Sequence, residues 1–189
     1  MYLFFDTETT GLPGNWNAPV TNLNNWPRMV QLAWLLYDQD GNKISGKDYI
    51  IKPEGFIIPA DASKIHGITT ERANKEGKNL IEVLQDLQLM IDQAEFLVAH
   101  NMNFDEKIVG AEFLRNKMEN SIATKKRICT MESTKVFCGI KGKYGYKWPK
   151  LSELYYKLFN TGFTEAHNAS TDITATAKCF WELKRIQKI

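Results

Sequence analysis

The chain has 189 residues, 43% of them apolar and 24% charged, with a formal net charge of +2. That length suits one domain, residues 1–189, with core enough to fold without disulfides or structural metals, and so small a charge does not by itself announce a polyanion partner. Three cysteines (Cys129, Cys138, Cys179) with no Cys-x-x-Cys pair argue against a disulfide framework and a zinc site. No apolar run approaches the ~20 residues of a membrane span, and no basic segment precedes the short apolar start, so the expectation is a cytoplasmic protein without a membrane partner.

Residues 2–8 are apolar up to Asp6 and read as a buried strand, running into a turn marked by Gly11, Pro13 and Gly14. Residues 15–27, rich in Asn, Trp and Pro, have no period and read as a loop. Residues 29–37 are apolar almost throughout, as in a central strand, and Asp40-Gly41 turns them into a strand over 43–52. Ile65-His66-Gly67-Ile68-Thr69 reads as a connector. Leu80, Ile81, Leu84, Leu87 and Ile91 recur at helical spacing and predict an amphipathic helix.

Residues 95–100 predict another apolar strand, followed by a helix over 104–117 with Ile108, Ala111, Phe113 and Leu114 inward. A short strand at 127–129 comes next, then a helix, a helix over 151–159 and a last helix over 169–186. Strands followed by a helix–strand alternation predict an α/β fold: a mixed sheet with helices on both faces.

Asp6 and Glu8 lie two apart on a strand, so they project together while Thr7 points the other way. Two adjacent carboxylates repel unless a cation sits between them, and hard oxygen ligands favour Mg²⁺ or Mn²⁺. Taken singly, each acid has a plainer account. Asp6 and Glu8 suit a solvated strand end, Asp105 complements a helix dipole, and Asp172 suits the first turns of a helix. His100 and Asn101 pass as turn residues with satisfied hydrogen bonds, and His167 as an exposed loop histidine. Their joint occurrence is what calls for chemistry.

The segments Phe5-Asp6-Thr7-Glu8-Thr9-Thr10-Gly11, Ile65-His66-Gly67-Ile68-Thr69, His100-Asn101-x-x-Phe104-Asp105 and His167-x-x-x-x-Asp172 carry a resemblance. In that order, across nearly the whole chain, they resemble the DEDD 3′–5′ exonucleases in their histidine-bearing branch. The proofreading epsilon subunit of DNA polymerase III is the nearest type. The tyrosine branch would place Tyr four residues before the final Asp, where this chain has Asn168.

The resemblance implies a ribonuclease H-like fold with a central five-stranded sheet, and two divalent cations, Mg²⁺ or Mn²⁺. It implies that Asp6, Glu8 and Asp172 hold one metal, that Asp6 bridges to the other with Asp105 in support, and that His167 takes a proton from the attacking water. It also gathers Thr9, Gly11, Leu12, His66 and Asn101 around the terminal nucleotide. For His66, a local hydrogen bond to its own backbone is an equal alternative. The implied reaction releases nucleoside 5′-monophosphates from single-stranded 3′ ends, of DNA rather than RNA, with a polymerase or repair partner. Two rivals stand beside it: an exoribonuclease trimming RNA ends or short oligonucleotides, and a catalytically silent nucleic-acid- or polymerase-binding module.

Between Lys125 and Lys150 the chain places eight basic residues against one acid, with Tyr144, Tyr146 and Trp148 interleaved. That pattern is compatible with stacking plus phosphate contact. The preferred account is plainer: a solvated surface with Trp148 tucked into the core.

Overall fold

A computed structural model of the protein describes residues 1–163 and 168–189. Three strands open the chain: β1 (Tyr2–Thr9), β2 (Met29–Tyr37) and β3 (Lys43–Ile50). Three helices follow: α1 (Ala60–His66), α2 (Thr70–Glu76) and α3 (Leu80–Gln93). After β4 (Phe96–Ala99), α4 (Met102–Arg115) and β5 (Lys126–Cys129) come two single-turn helices, α5 (Thr130–Ser133) and α6 (Lys135–Cys138). The chain then makes a hairpin of β6 (Lys141–Gly142) and β7 (Gly145–Tyr146) and ends with α7 (Leu151–Phe159) and α8 (Ala169–Arg185).

The main sheet is ordered β3-β2-β1-β4-β5. β1 lies at its centre, antiparallel to β2 and parallel to β4. This is the expected mixed five-stranded sheet with helices on both faces. A central strand must be apolar on both sides, and Tyr2 to Phe5 supply that. Leu3 and Phe5 pack with α3 and α4 on one face; Tyr2 and Phe4 pack with Ala169, Ile173 and Phe180 of α8 on the other.

Several details depart from the sequence reading. The connector around His66 is the end of a helix: Ile65 and His66 form the last turn of α1, with α2 directly after it. Ile81 is exposed, and Val83 takes the inward place beside Leu80, Leu84, Leu87 and Ile91. Leu114 is likewise on the solvent side of α4, while Ile108, Ala111 and Phe113 are fully buried.

The loop between β1 and β2 lacks regular structure, as expected, yet it is built. Asn15 and Asn25 exchange hydrogen bonds, and Trp26 Nε1 donates to the Pro19 carbonyl at 3.0 Å. Arg115 Nη2 donates to the carbonyls of Leu23 and Trp26 at 2.7 and 2.6 Å. Buried Glu112 takes Arg28 Nε at 2.9 Å and the Met29 N–H at 3.0 Å, so α4 holds both ends of the loop. A buried carboxylate is tolerable only when paired in this way.

Candidate functional site

Strand β1 carries its apolar run as far as Phe5 and then places Asp6 and Glu8 on the face covered by α8. Register with β2 shifts between Glu8 and Thr9, a bulge of the kind that re-aims side chains at a strand end. Asp172 sits in the first turn of α8, whose Asn168 cap accepts the Ser170 N–H at 3.0 Å. This packing brings ligand oxygens of Asp6, Glu8 and Asp172 within 4.8 Å of one another.

Thr7 points to the opposite face, as the period of two requires. There its backbone N–H and its hydroxyl donate to Asp105 Oδ1 at 3.1 and 2.8 Å. Asp105 is buried in the first turn of α4. The turn into that helix places Asn101 at φ +117°, a conformation that Asn tolerates better than most residues. The Asn101 carbonyl accepts the N–H groups of Phe104 and Asp105, and its side chain makes no capping bond.

The electrostatics follow from this crowding. Burial, then the charges of Asp105, Glu8 and Asp172, raise the Asp6 carboxyl well above its usual range. Glu8 is pushed up to about 8 by burial and by Asp172 and Asp105. Asp105 is raised to about 7 by burial, against the hydrogen bonds from Thr7. A divalent cation would suit this set: hard oxygen donors, convergent and mutually repelling, whose ionised form needs positive charge nearby.

Between the ordinary carboxylate range and about pH 8, the metal-free folded chain holds protons on Glu8 and Asp105 that the unfolded chain has lost. Stability therefore falls as pH rises through that window. In EDTA the melting temperature should drop by several degrees from pH 5 to pH 8, and Mg²⁺ should restore more of it at pH 8 than at pH 5. A metal-free protein that melts as high at pH 8 as at pH 5 would contradict this electrostatic account.

Beside the cluster lies a cavity of about 320 Å³ whose lining includes Glu8, Gly11, Leu12, Ile65, His66 and Phe104. Leu12 is 74% exposed at its mouth. Gly11 has φ +153°, and a Cβ there would enter open space, so backbone conformation is what favours glycine. Thr9 is buried, its hydroxyl donating to the Gly11 carbonyl at 2.6 Å, which stiffens the turn.

His66 makes the expected local hydrogen bond, and it also faces the cavity. Its Nδ1 accepts the Ile68 N–H at 3.2 Å while its ring lines the cavity. Burial lowers its pKa, opposed by the Thr9 backbone. His100 is a satisfied turn residue, with Nδ1 2.9 Å from Thr130 Oγ1 and Nε2 3.1 Å from the Pro149 carbonyl. Burial brings its pKa down to about 4, against the Pro149 carbonyl. Asn101 stands at the head of α4 and is not among the residues lining the cavity. His167 lies outside the described residues.

Sequence reasoning missed two contributors. For Thr7 the period of two gave only the side it faces, and its partner lies 98 positions away. Trp16, from the loop after β1, sets its ring 5.7 Å from that of Phe104, and the Trp16 carbonyl accepts Lys107 Nζ at 3.2 Å. The loop is thereby fastened to α4 beside Phe104, a residue that lines the cavity.

Carboxylates gathered at the carboxyl end of a central strand, on a mixed five-stranded sheet, form a candidate site for divalent cations. The chain belongs to the RNase T exonuclease family, whose profile matches residues 3–180. It is similar to the PolC-type DNA polymerase III of Lactococcus lactis, 29% identical over 177 residues that make up 94% of this chain and 10% of that protein. The PolC-type polymerase of Streptococcus thermophilus is 32% identical over 117 residues, 62% of this chain and 7% of that one.

The chain thus spans a tenth or less of the length of these relatives. Among solved structures, E. coli exonuclease I in complex with a dT13 oligonucleotide gives a TM-score of 0.78 at 21% identity, covering 98% of this chain and 41% of that one. The zinc-bound form of the same enzyme with single-stranded DNA gives 0.75 at 22% identity, covering 98% and 40%. At such identities the likeness is one of fold.

Proposed function

We propose that the chain is a 3′–5′ exonuclease that hydrolyses terminal phosphodiesters of single-stranded DNA and releases nucleoside 5′-monophosphates. The observation that carries this reading is the convergence of Asp6, Glu8 and Asp172 within 4.8 Å in a chain of an exonuclease family. Asp6, Glu8 and Asp172 would hold the divalent cations, Mg²⁺ or Mn²⁺, with Asp105 beside them. When bound, such ions neutralise charge developing on a phosphate and make water more acidic.

The protein's own groups do the rest. Thr7 fixes the Asp105 carboxylate through two hydrogen bonds, so one donor residue is oriented before substrate arrives. Leu12, His66 and Phe104 line a mostly apolar cavity that would receive the terminal nucleoside of an unpaired end. By the resemblance to the histidine-bearing branch, His167 would be the general base. The likeness to PolC-type polymerases supports work beside a polymerase, whether in proofreading or in repair. Among the described residues no helix is long and apolar enough to cross a membrane.

The test is a 5′-labelled single strand incubated with Mg²⁺ or Mn²⁺, run beside matched duplex and RNA. A ladder shortening from the 3′ end, faster on single-stranded or mismatched ends and abolished by EDTA, is the expected result. Cutting of circular single strands, or full activity in EDTA, would overturn the reading. A strong preference for RNA would favour the exoribonuclease instead.

A further inference from the structure

The hairpin of β6 and β7 is a surface for which the carboxylate cluster leaves no role. Lys141 pairs with Tyr146 and Gly142 with Gly145, and Gly145 at φ +91° closes the turn. Two strands alone are marginal in water, so the hairpin must be held from outside. Glu153 of α7 does this with both oxygens: one takes Lys147 Nζ at 2.6 Å, the other the Lys150 N–H at 2.7 Å. A second tie is the buried Pro149, whose carbonyl accepts from His100 Nε2 at 3.1 Å.

These ties sort the side chains. Lys147 and Pro149 turn inward, so Tyr146, Trp148 and Lys150 alternate outward, and Lys141 shares the face of Tyr146 across the ladder. Trp148 is 57% exposed and Tyr144 87%, so the expected burial of Trp148 in the core does not occur. Lys135 Nζ stands 5.8 Å from its ring.

The basic stretch divides in the same way. Lys126, Arg127 and Lys147 pair with Glu95, Glu106 and Glu153, and Lys125 caps backbone carbonyls. Among the described residues no carboxylate pairs with Lys135, Lys141, Lys143 or Lys150. Uncompensated cations beside exposed flat rings fit a strand of bases and phosphates better than a protein face.

The position is also apt. Phe4 of β1 pairs with Val98 of β4, and two residues further along come Asp6 and His100. Neighbouring strands lie ~4.8 Å apart. Through His100, the root of the hairpin is tied to the same carboxyl end of the central strands as the carboxylates.

We propose that this hairpin is a second binding site for single-stranded polynucleotide, stacking bases on Tyr144 and Trp148 and meeting phosphates with Lys141, Lys143 and Lys150. Its place upstream of the bound 3′ end rests on the exonuclease reading; its binding chemistry does not.

The two are separable by measuring binding without turnover. Fluorescence anisotropy of 5′-labelled dT12 and dT3 in EDTA is compared for the wild type, Tyr144→Ala/Trp148→Ala and Lys141→Gln/Lys143→Gln. Losing stacking typically costs about 5- to 150-fold per base, so the aromatic variant should bind dT12 at least ~10-fold more weakly. Binding of dT3 should stay within about twofold. For the lysine variant, the slope of log affinity against log salt should shrink by about 1.4, at ~0.7 per phosphate contact on a single strand.

Should the aromatic variant fail to fold, the lysine variant alone decides, since both of its lysines are exposed. Unchanged dT12 affinity and salt slope, equal losses on dT3, or a wild type that does not bind dT12 would each overturn the proposal. Hairpin-dependent binding in EDTA by a protein that hydrolyses nothing with Mg²⁺ or Mn²⁺ would instead remove the exonuclease reading and leave this site standing.

Discussion

Asp6→Asn is expected to abolish hydrolysis while making the metal-free protein more stable. The Asp6 carboxyl is opposed by its surroundings on every count: burial, then Asp105, Glu8 and Asp172, all favour its neutral form. An amide of the same shape removes one charge from that set and one oxygen ligand from the cations the set would hold. Removing one preorganised electrostatic group typically costs ~10²–10³-fold in rate, and loss of a cation ligand should cost no less. Relief of repulsion should add about 1 kcal/mol, or roughly 2–4 °C in melting temperature for a chain of this size. Single-turnover cleavage of a labelled oligonucleotide and melting in EDTA at pH 8 measure the two effects. A variant with activity within tenfold of wild type, or one that melts lower in EDTA, would remove Asp6 from the centre of the site.

The opposite signs of those two effects distinguish a functional cluster from a structural one. Glu112 is the contrast. It too is buried, but Arg28, Arg115 and the Met29 N–H surround it. The acids at the end of β1 have one another for neighbours, which is tolerable where a cation is to be bound.

What could be read in advance followed from periodicity. The period of two put Asp6 and Glu8 on one side of β1 and Thr7 on the other, and both statements describe the folded chain. The long apolar runs of β1 and β2 and the helical spacing from Leu80 onward gave their elements within a residue or two. Helices of seven residues, such as α1 and α2, are too short for a hydrophobic period to emerge, and so His66 seemed to lie in a connector. Ile81 and Leu114 border the buried stripe of their helices, where residue type alone cannot say which neighbour turns in. The Thr7–Asp105 contact joins residues far apart in the chain and leaves no local mark. Trp148 was misjudged for a different reason: its exposure depends on Glu153 and His100 holding the segment out.

Replacing His167 tests a part of the reading that rests on the sequence, because residues 164–167 lie outside the described structure. The residue stands five positions before Asp172, which belongs to the carboxylate cluster. A general base must be neutral to accept a proton. With an ordinary histidine pKa of ~6.5, the single-turnover rate should rise with pH through that region and then level off. Loss of a positioned base costs ~10²–10⁴-fold, so His167→Ala should fall by that factor and lose the rising limb. Its stabilisation by Mg²⁺ and its affinity for dT12 should be those of the wild type, since neither the carboxylates nor the hairpin is touched. An exposed bystander histidine predicts the contrary: a variant with nearly full rate and the same profile near neutrality. That outcome would dismiss His167 as the base and turn attention to His66, whose ring lines the cavity next to Glu8.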